Sequence, residues 1–430
     1  MKVLRQSCLY ASALAGLTVL LGLFLQNQTL WNAALLASSV CLSLGLGALE
    51  KWKGYQYTAW IVTAVVAGLA YPAAFLSWGE FDLRNPVLVL LVVQAVMFGM
   101  GTQMHTTDFK GISRSPRGVF VGLLCQFSIM PVSGLILTKV FSFPAEIAAG
   151  IILIGSCSSG LASNVMTYLA RANLVLSITV TACATLLAPF CTPFLMKMLA
   201  GTLIEIDFLK MMLQIIKIVL VPIGAALLHD FLRHCSSQGR RNVYVLAGFS
   251  AAYLVILLAG GAAWIKASFN EQAAASLAIL GYFAGAVLFG LLYHGATLLI
   301  RRLDSLMPYI SMAGIVYFTT VTTAAGREQL LQIGLLLFLA SVLHNATGYV
   351  LGFWLSRLLG LDQQSARAMA LEVGLQNGGM ASGIAGSMGK LGTLGLASAV
   401  FSPWMNISGS ILANYWKNNP PKQESSTTES

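Results

Sequence analysis

The chain has 430 residues, of which 57% are hydrophobic and only 9% charged, with a mean hydropathy of +0.78. Soluble proteins carry about a quarter charged residues, so a soluble globular protein is excluded and an all-α polytopic membrane protein is expected. The net charge of +10 does not point to nucleic acid, because the basic residues are spread through short segments between apolar runs, where they act as topology signals.

A spanning helix needs about 20 apolar residues. By that measure fourteen spans are expected, at 8–25, 30–49, 57–78, 86–105, 118–141, 146–171, 174–198, 209–232, 243–265, 274–300, 305–325, 329–356, 363–388 and 392–416. Lys2 and Arg5 precede the first apolar run as in a signal peptide, but Gln26-Asn27-Gln28 follows it instead of an A-x-A site, so an uncleaved helix is expected. With the N-terminus inside, seventeen of the 25 Lys and Arg residues fall in inside segments, among them Lys51, Lys53, Arg171, Arg301, Arg302 and Lys422. Both termini are therefore expected in the cytoplasm, in a multi-pass protein of the cell (inner) membrane. The polar tail 418–430 reads as disordered. Cys8, Cys41, Cys125, Cys157, Cys183, Cys191 and Cys235 form no CxxC pair, which supports neither a disulfide framework nor a zinc site. Trp31, Trp52, Trp60, Trp78, Trp264 and Trp416 lie near span ends and read as interface anchors in the lipid bilayer. His105, His229 and His234 read as solvated span ends, His344-Asn345 as a helix-packing contact with a proton relay left open, and His294 has no reading.

The chain is organised around residues 370–382, Ala-Leu-Glu-Val-Gly-Leu-Gln-Asn-Gly-Gly-Met-Ala-Ser. Irregular backbone at membrane depth survives only around a protein-lined cavity, and an ionisable residue there marks a functional site. Glu372 is the acid expected near mid-membrane. An earlier stretch, Ser158-Ser159-Gly160-Leu161-Ala162-Ser163-Asn164, echoes Asn377-Gly378-Gly379-Met380-Ala381-Ser382. Each follows a glycine-interrupted half-span, and each precedes a span ending in a proline phrase. Six spans separate the two, so they cross the membrane in opposite directions, as an inverted repeat requires.

Ser163 and Asn164 follow the first break, and Ser177 and Thr181 stand four apart on one helix face. Alone, those two hydroxyls read as bonded back to their own helix. With Asn164 and Glu372 they read as an oxygen set for a small hard cation. Gln126, Gln376 and the carbonyls of Val373 and Leu375 form a second conceivable set beside Glu372, with Gln126 equally readable as interhelical glue. The helix N-termini after both breaks favour an anion, and Asn377 is placed to touch either ligand.

These residues resemble the bile acid:sodium symporter family. Cys157-Ser158-Ser159-Gly160-Leu161-Ala162-Ser163-Asn164 is similar to its C-P-G-G-x-x-S-N motif, and Glu372-Val373-Gly374-Leu375-Gln376-Asn377 matches its E-x-G-x-Q-N motif intact. Gln126 before Met130-Pro131 and Thr167-Tyr168-Leu169-Ala170 also fit, so the resemblance covers roughly 57–235 and 303–416. It implies a ten-helix inverted-repeat unit in which panel helices (57–116, 201–238, 303–327) rock against a core (117–200 and 328–417) whose broken helices cross. The chain then adds an N-terminal pair (1–56) and an inserted pair (239–302). The implied first sodium site is Ser163, Asn164, Ser177, Thr181 and Glu372; the second is Gln126, Glu372, Val373, Leu375 and Gln376. The substrate, an organic anion such as a bile acid, pantoate or a 2-oxo acid, would lie near Asn377, Leu161 and Gly378. Ser158-Ser159 stands where the family has Pro-Gly, which bears on the substrate. The function expected is sodium-coupled symport rather than enzymatic catalysis. The alternatives are a proton-coupled transporter or exporter in which Glu372 and His344 titrate, and a non-transporting sensor or scaffold.

Overall fold

The computed structural model describes residues 2–49, 52 and 55–420, which fold almost wholly into helices. Lys51, Lys53 and Lys422, and the tail from residue 421, lie outside the described residues. Helices α1 (Lys2–Phe24) and α2 (Gln28–Gly45) make a hairpin whose turn is closed by Asn27, which accepts from the Leu30 amide at 3.0 Å. Two serines clasp the pair: Ser12 Oγ donates to Ser38 O and Ser38 Oγ to Ser12 O, each at 2.9 Å. Small polar residues bond well across helices in lipid, where apolar burial between helices contributes little. Leu14, Leu17 and Leu21 on the outer side of α1 are exposed.

Helix α3 (Gln56–Ala70) is shorter than the expected 57–78. Pro72 forces Tyr71 out of helical geometry (φ −133°, ψ 58°), and the chain continues as a short turn and a hairpin of β1 (Ser77–Trp78) and β2 (Phe81–Asp82). Helix α4 (Pro86–Gly101) likewise stops before 105 and bends by 61° into the segment that ends with α5 (Gly111–Arg114). Then come α6 (Pro116–Phe141), α7 (Ala145–Ser156), α8 (Leu161–Leu169) and α9 (Leu174–Ala200). Helices α10 (Phe208–Ile215) and α11 (Val221–His234) join through a π turn, Ile216–Leu220. Pro222, which has no N–H, sits just beyond it. Helix α12 (Ser237–Ile256) passes through a kink at Gly260 (φ +110°) into α13 (Ala262–Ser268), and α14 (Glu271–Leu299) returns. The chain ends with α15 (Leu303–Ala325), α16 (Arg327–Leu358), α17 (Gln363–Gly374), α18 (Gly378–Ser387) and α19 (Leu396–Asn418).

Among the described residues eight helices are long and apolar enough to cross a membrane alone. The expected spans 146–171 and 363–388 are each two half-helices, α7 with α8 and α17 with α18. Helices α6, α7, α9, α16, α17 and α19 pack on one another around these breaks, while α3, α4, α11 and α15 form a second packing group with α14 against α11. The second group corrects one expectation. His229 is buried, not solvated, because α14 covers its side of α11. Its Nδ1 lies 3.2 Å from His294 Nδ1 and its Nε2 3.5 Å from Asp304 Oδ1. The same contact gives His294 its place.

Candidate functional site

The two breaks meet. Residues 157–160 and 375–377 run antiparallel, with Ser159 opposite Gln376. The Asn377 amide donates to Ser158 O at 2.9 Å and the Gly160 amide to Leu375 O at 3.2 Å. Each broken helix leaves carbonyls without an intrahelical partner, and in a buried setting these must be satisfied by protein. Neighbouring side chains do so. Thr192 Oγ1 donates to Ser156 O (2.7 Å), Gln126 Nε2 to Cys157 O (2.9 Å), Gln376 Nε2 to Val373 O (2.6 Å) and Asn345 Nδ2 to Gly374 O (2.8 Å). The crossing is tight as well: a Cβ on Gly374 would lie 2.2 Å from the Tyr349 ring. Asn377 restarts the second half-helix, its Oδ1 accepting from the Met380 amide at 3.0 Å.

Glu372 is fully buried, 0% exposed, on the last turns of α17. Its carboxylate is ringed by hydroxyls from the other half of the chain. Ser163 Oγ donates to Oε1 at 2.8 Å, Thr181 Oγ1 lies 3.0 Å from both oxygens, Ser159 Oγ donates to Oε2 at 2.5 Å, and Ser177 Oγ donates to Oε1. Asn164 Oδ1 lies 2.9 Å from Ser177 Oγ and 3.2 Å from Thr181 Oγ1. The five residues of the first expected set are therefore in one cluster. Ser177 and Thr181 turn to Glu372, not back to their own helix. Four hydroxyls, an amide oxygen and a carboxylate suit a small hard cation, which favours several oxygens with little net charge.

Ser159 belongs to this cluster, and sequence reasoning missed it by treating Ser158-Ser159 as a matter for the substrate alone. The available signal was only its place inside the break, which put it near the crossing without fixing the direction of its side chain.

The second set is brought together in part. Gln126 Nε2 donates to Gln376 Oε1 at 3.0 Å, and Gln376 in turn reaches the Val373 carbonyl. Gln126 Oε1 is buried with no hydrogen-bond partner, a costly state that leaves an acceptor free for a cation. The Leu375 carbonyl takes the Gly160 amide, and the hydrogen bonds of Glu372 all go to the hydroxyls of Ser159, Ser163, Ser177 and Thr181. Of the three residues expected near substrate, Leu161 opens α8 and is half-buried. Asn377 caps α18 with its Nδ2 4.0 Å from Met100 Sδ, and Gly378 packs where a Cβ would sit 2.0 Å from Ser402 Oγ. His344 is remote from the carboxylate cluster in its bonding: its Nε2 lies 2.8 Å from Met130 O and its ring meets Phe401 edge-on.

Two interrupted helices crossing over a buried carboxylate, with their irregular backbone capped by neighbouring helices, define an integral membrane transporter of the broken-helix kind. The chain belongs to the sodium/bile acid symporter family. The family model described as "Sodium Bile acid symporter family" matches residues 89–268. An uncharacterized sodium-dependent transporter of Bacillus subtilis, YocS, is 32% identical over 89% of this chain and 97% of its own length. A probable sodium/metabolite cotransporter of rice chloroplasts, BASS1, is 27% identical over 92% of this chain and 77% of its own. The human ileal sodium/bile acid cotransporter is 26% identical over 68% and 67% respectively. These relatives are transporters, not enzymes.

Proposed function

We propose that the protein is a sodium-coupled symporter of an organic anion, working by alternating access with α3, α4, α10–α11 and α15 as the panel and the helices around the breaks as the core. The observation that carries this is the hydroxyl-ringed Glu372. One sodium ion binds among Ser159, Ser163, Asn164, Ser177, Thr181 and Glu372. A second uses Gln126, Val373, Leu375 and Gln376, and shares the Glu372 charge. The family resemblance and the free Gln126 Oε1 support that second site.

The substrate lies against the crossing by Leu161, Asn377 and Gly378, where the N-terminal ends of α8 and α18 favour negative charge. Because sodium and the crossing share backbone, binding of the ion orders the anion site, and each ligand raises affinity for the other by linkage. The membrane is the cell membrane, and both termini are cytoplasmic.

The test is thermal stability of the purified chain in sodium against choline chloride, across bile acids, pantoate and 2-oxo acids, followed by uptake into vesicles. A ligand that binds only the folded state raises the melting temperature in proportion to the logarithm of its excess over Kd. Stabilisation by a carboxylate only when sodium is present is the expected result. Equal melting temperatures in sodium and choline, with every anion, would remove sodium coupling from the account.

A further inference from the structure

The inserted helix pair has no part in the crossing, yet α14 makes one wall of a groove. The other wall is α10, the π turn and α11. The two walls run parallel, since Ala275 lies by Lys210 at one end and His294 by His229 at the other. Two cavities lie along the groove and share Tyr282. One, of about 530 Å³, is lined by Asp207, Lys210, Gln214 and Lys217. The other, of about 590 Å³, is lined by apolar groups that include Leu91, Phe98, Pro222, Phe289 and Met307.

The cationic end is built in an unusual way. Lys210 and Lys217 are seven residues apart, so both face the groove about 10 Å apart along the axis. Lys217 is half-buried within the π turn, a feature that recurs at functional sites. Its Nζ lies 4.5 Å from the centre of the Tyr282 ring. Among the described residues neither lysine has a carboxylate within ion-pair distance. Asp207 lines the same cavity, but its Oδ1 caps α10 by accepting from the Lys210 amide at 3.0 Å. A lysine held inside a span without an acid is costly unless an anion meets it.

The apolar end has a telling length. From Tyr282 to Tyr293 along α14 is about 16 Å, close to half the roughly 30 Å hydrocarbon thickness of a bilayer. The groove thus has the depth of one leaflet beneath a mouth of positive charge.

We infer that this groove holds one anionic phospholipid of the surrounding bilayer, with its phosphate between Lys210 and Lys217 and one acyl chain lying over Phe98 and Phe289. The inserted helices then serve to complete a lipid site on the panel, away from the ion cluster. The lipid fastens α14 to the moving group of helices.

Native mass spectrometry of the full purified chain tests this by titration with phosphatidylglycerol, with phosphatidylcholine of the same chains, and with glycerol phosphate as a head without chains. Two variants act at opposite ends. Lys210→Gln with Lys217→Gln removes the charge. Gly285→Phe puts a ring into the groove at a position where an added Cβ meets nothing within 4 Å. The expected result is retention of one phosphatidylglycerol in preference to phosphatidylcholine, by roughly fivefold for each lysine. The double glutamine variant should fall to parity between the two lipids, and Gly285→Phe should lose both. Equal retention of the two lipids by the unaltered chain would overturn the inference. So would unchanged retention in both variants, or displacement of the lipid by glycerol phosphate alone.

Discussion

After the first break, α8 keeps only Ser163 and Thr167 buried, and Val165 and Tyr168 are 55% and 69% exposed. After the second, α18 is buried without interruption from Gly378 to Gly386. The half-helices are similar in length and follow similar breaks, so the difference lies in what covers them. Helix α8 packs on α9, α17 and α19, whereas α18 packs on α19 and α7 and, in addition, on α4 and α15. Its glycines make that contact close. A Cβ on Gly383 would stand 2.3 Å from Val93 Cγ2, and one on Gly386 would stand 2.6 Å from Val89 Cγ1. Both half-helices leave the same crossing, yet one is sealed by the second packing group and the other is not. In the proposed topology α8 leads to the cytoplasm, and the proposed alternating access would move the seal from α18 to α8.

The largest effect is expected from Glu372→Gln, which keeps the shape but removes the charge shared by both breaks. Sodium affinity, read from the sodium dependence of the melting temperature, should fall by about a hundredfold or more. An unchanged sodium response would separate Glu372 from the ion.

Next is the seal itself. Gly383→Leu overpacks the contact with Val93 and should destabilise the observed state by about 1–3 kcal/mol, while Val165→Leu on the uncovered half-helix should stay within about 0.5 kcal/mol. Equal costs in chemical denaturation would show that the two half-helices are covered alike.

Asn345→Ala leaves the Gly374 carbonyl buried without its partner, at a cost of about 1–3 kcal/mol. Thr192→Val, which strips the Ser156 carbonyl at the other break, should cost a similar amount. A large difference between them, measured in the same unfolding assay, would mean that one of the two carbonyls does not depend on its side-chain partner.

The smallest change is Ser159→Ala. It removes one hydroxyl from the ring around Glu372 and should raise the sodium concentration for half-maximal stabilisation by about tenfold. No change would place Ser159 outside the ion site.

Much of the site was legible because membrane burial makes polar residues conspicuous. Glu372, Ser163, Asn164, Ser177 and Thr181 stand out in apolar surroundings, and the structure links all five in one hydrogen-bonded network. Ser159 was not legible as a carboxylate partner, since a residue inside a break has no helical face from which to infer its direction. Asn345 was legible only as a packing residue. Its bond to the Gly374 carbonyl depends on which turn of α16 lies beside the end of α17. His229 was misjudged because span ends are normally wet, and nothing local signals that a helix sixty residues later covers it.

Reading the residues in order is enough to see an all-helical membrane protein, where the two helices break, and which oxygens are available there. Hydrophobic length and the cost of polar groups in lipid act locally and leave a mark on the residues. It took the packed fold to show that Ser159 joins the cluster, that the break carbonyls are capped from α6, α9 and α16 and by Gln376 of the break itself, and that one half-helix is sealed while its counterpart is not. Those outcomes depend on the juxtaposition of segments far apart in the chain, and such pairings have no local periodicity to reveal them.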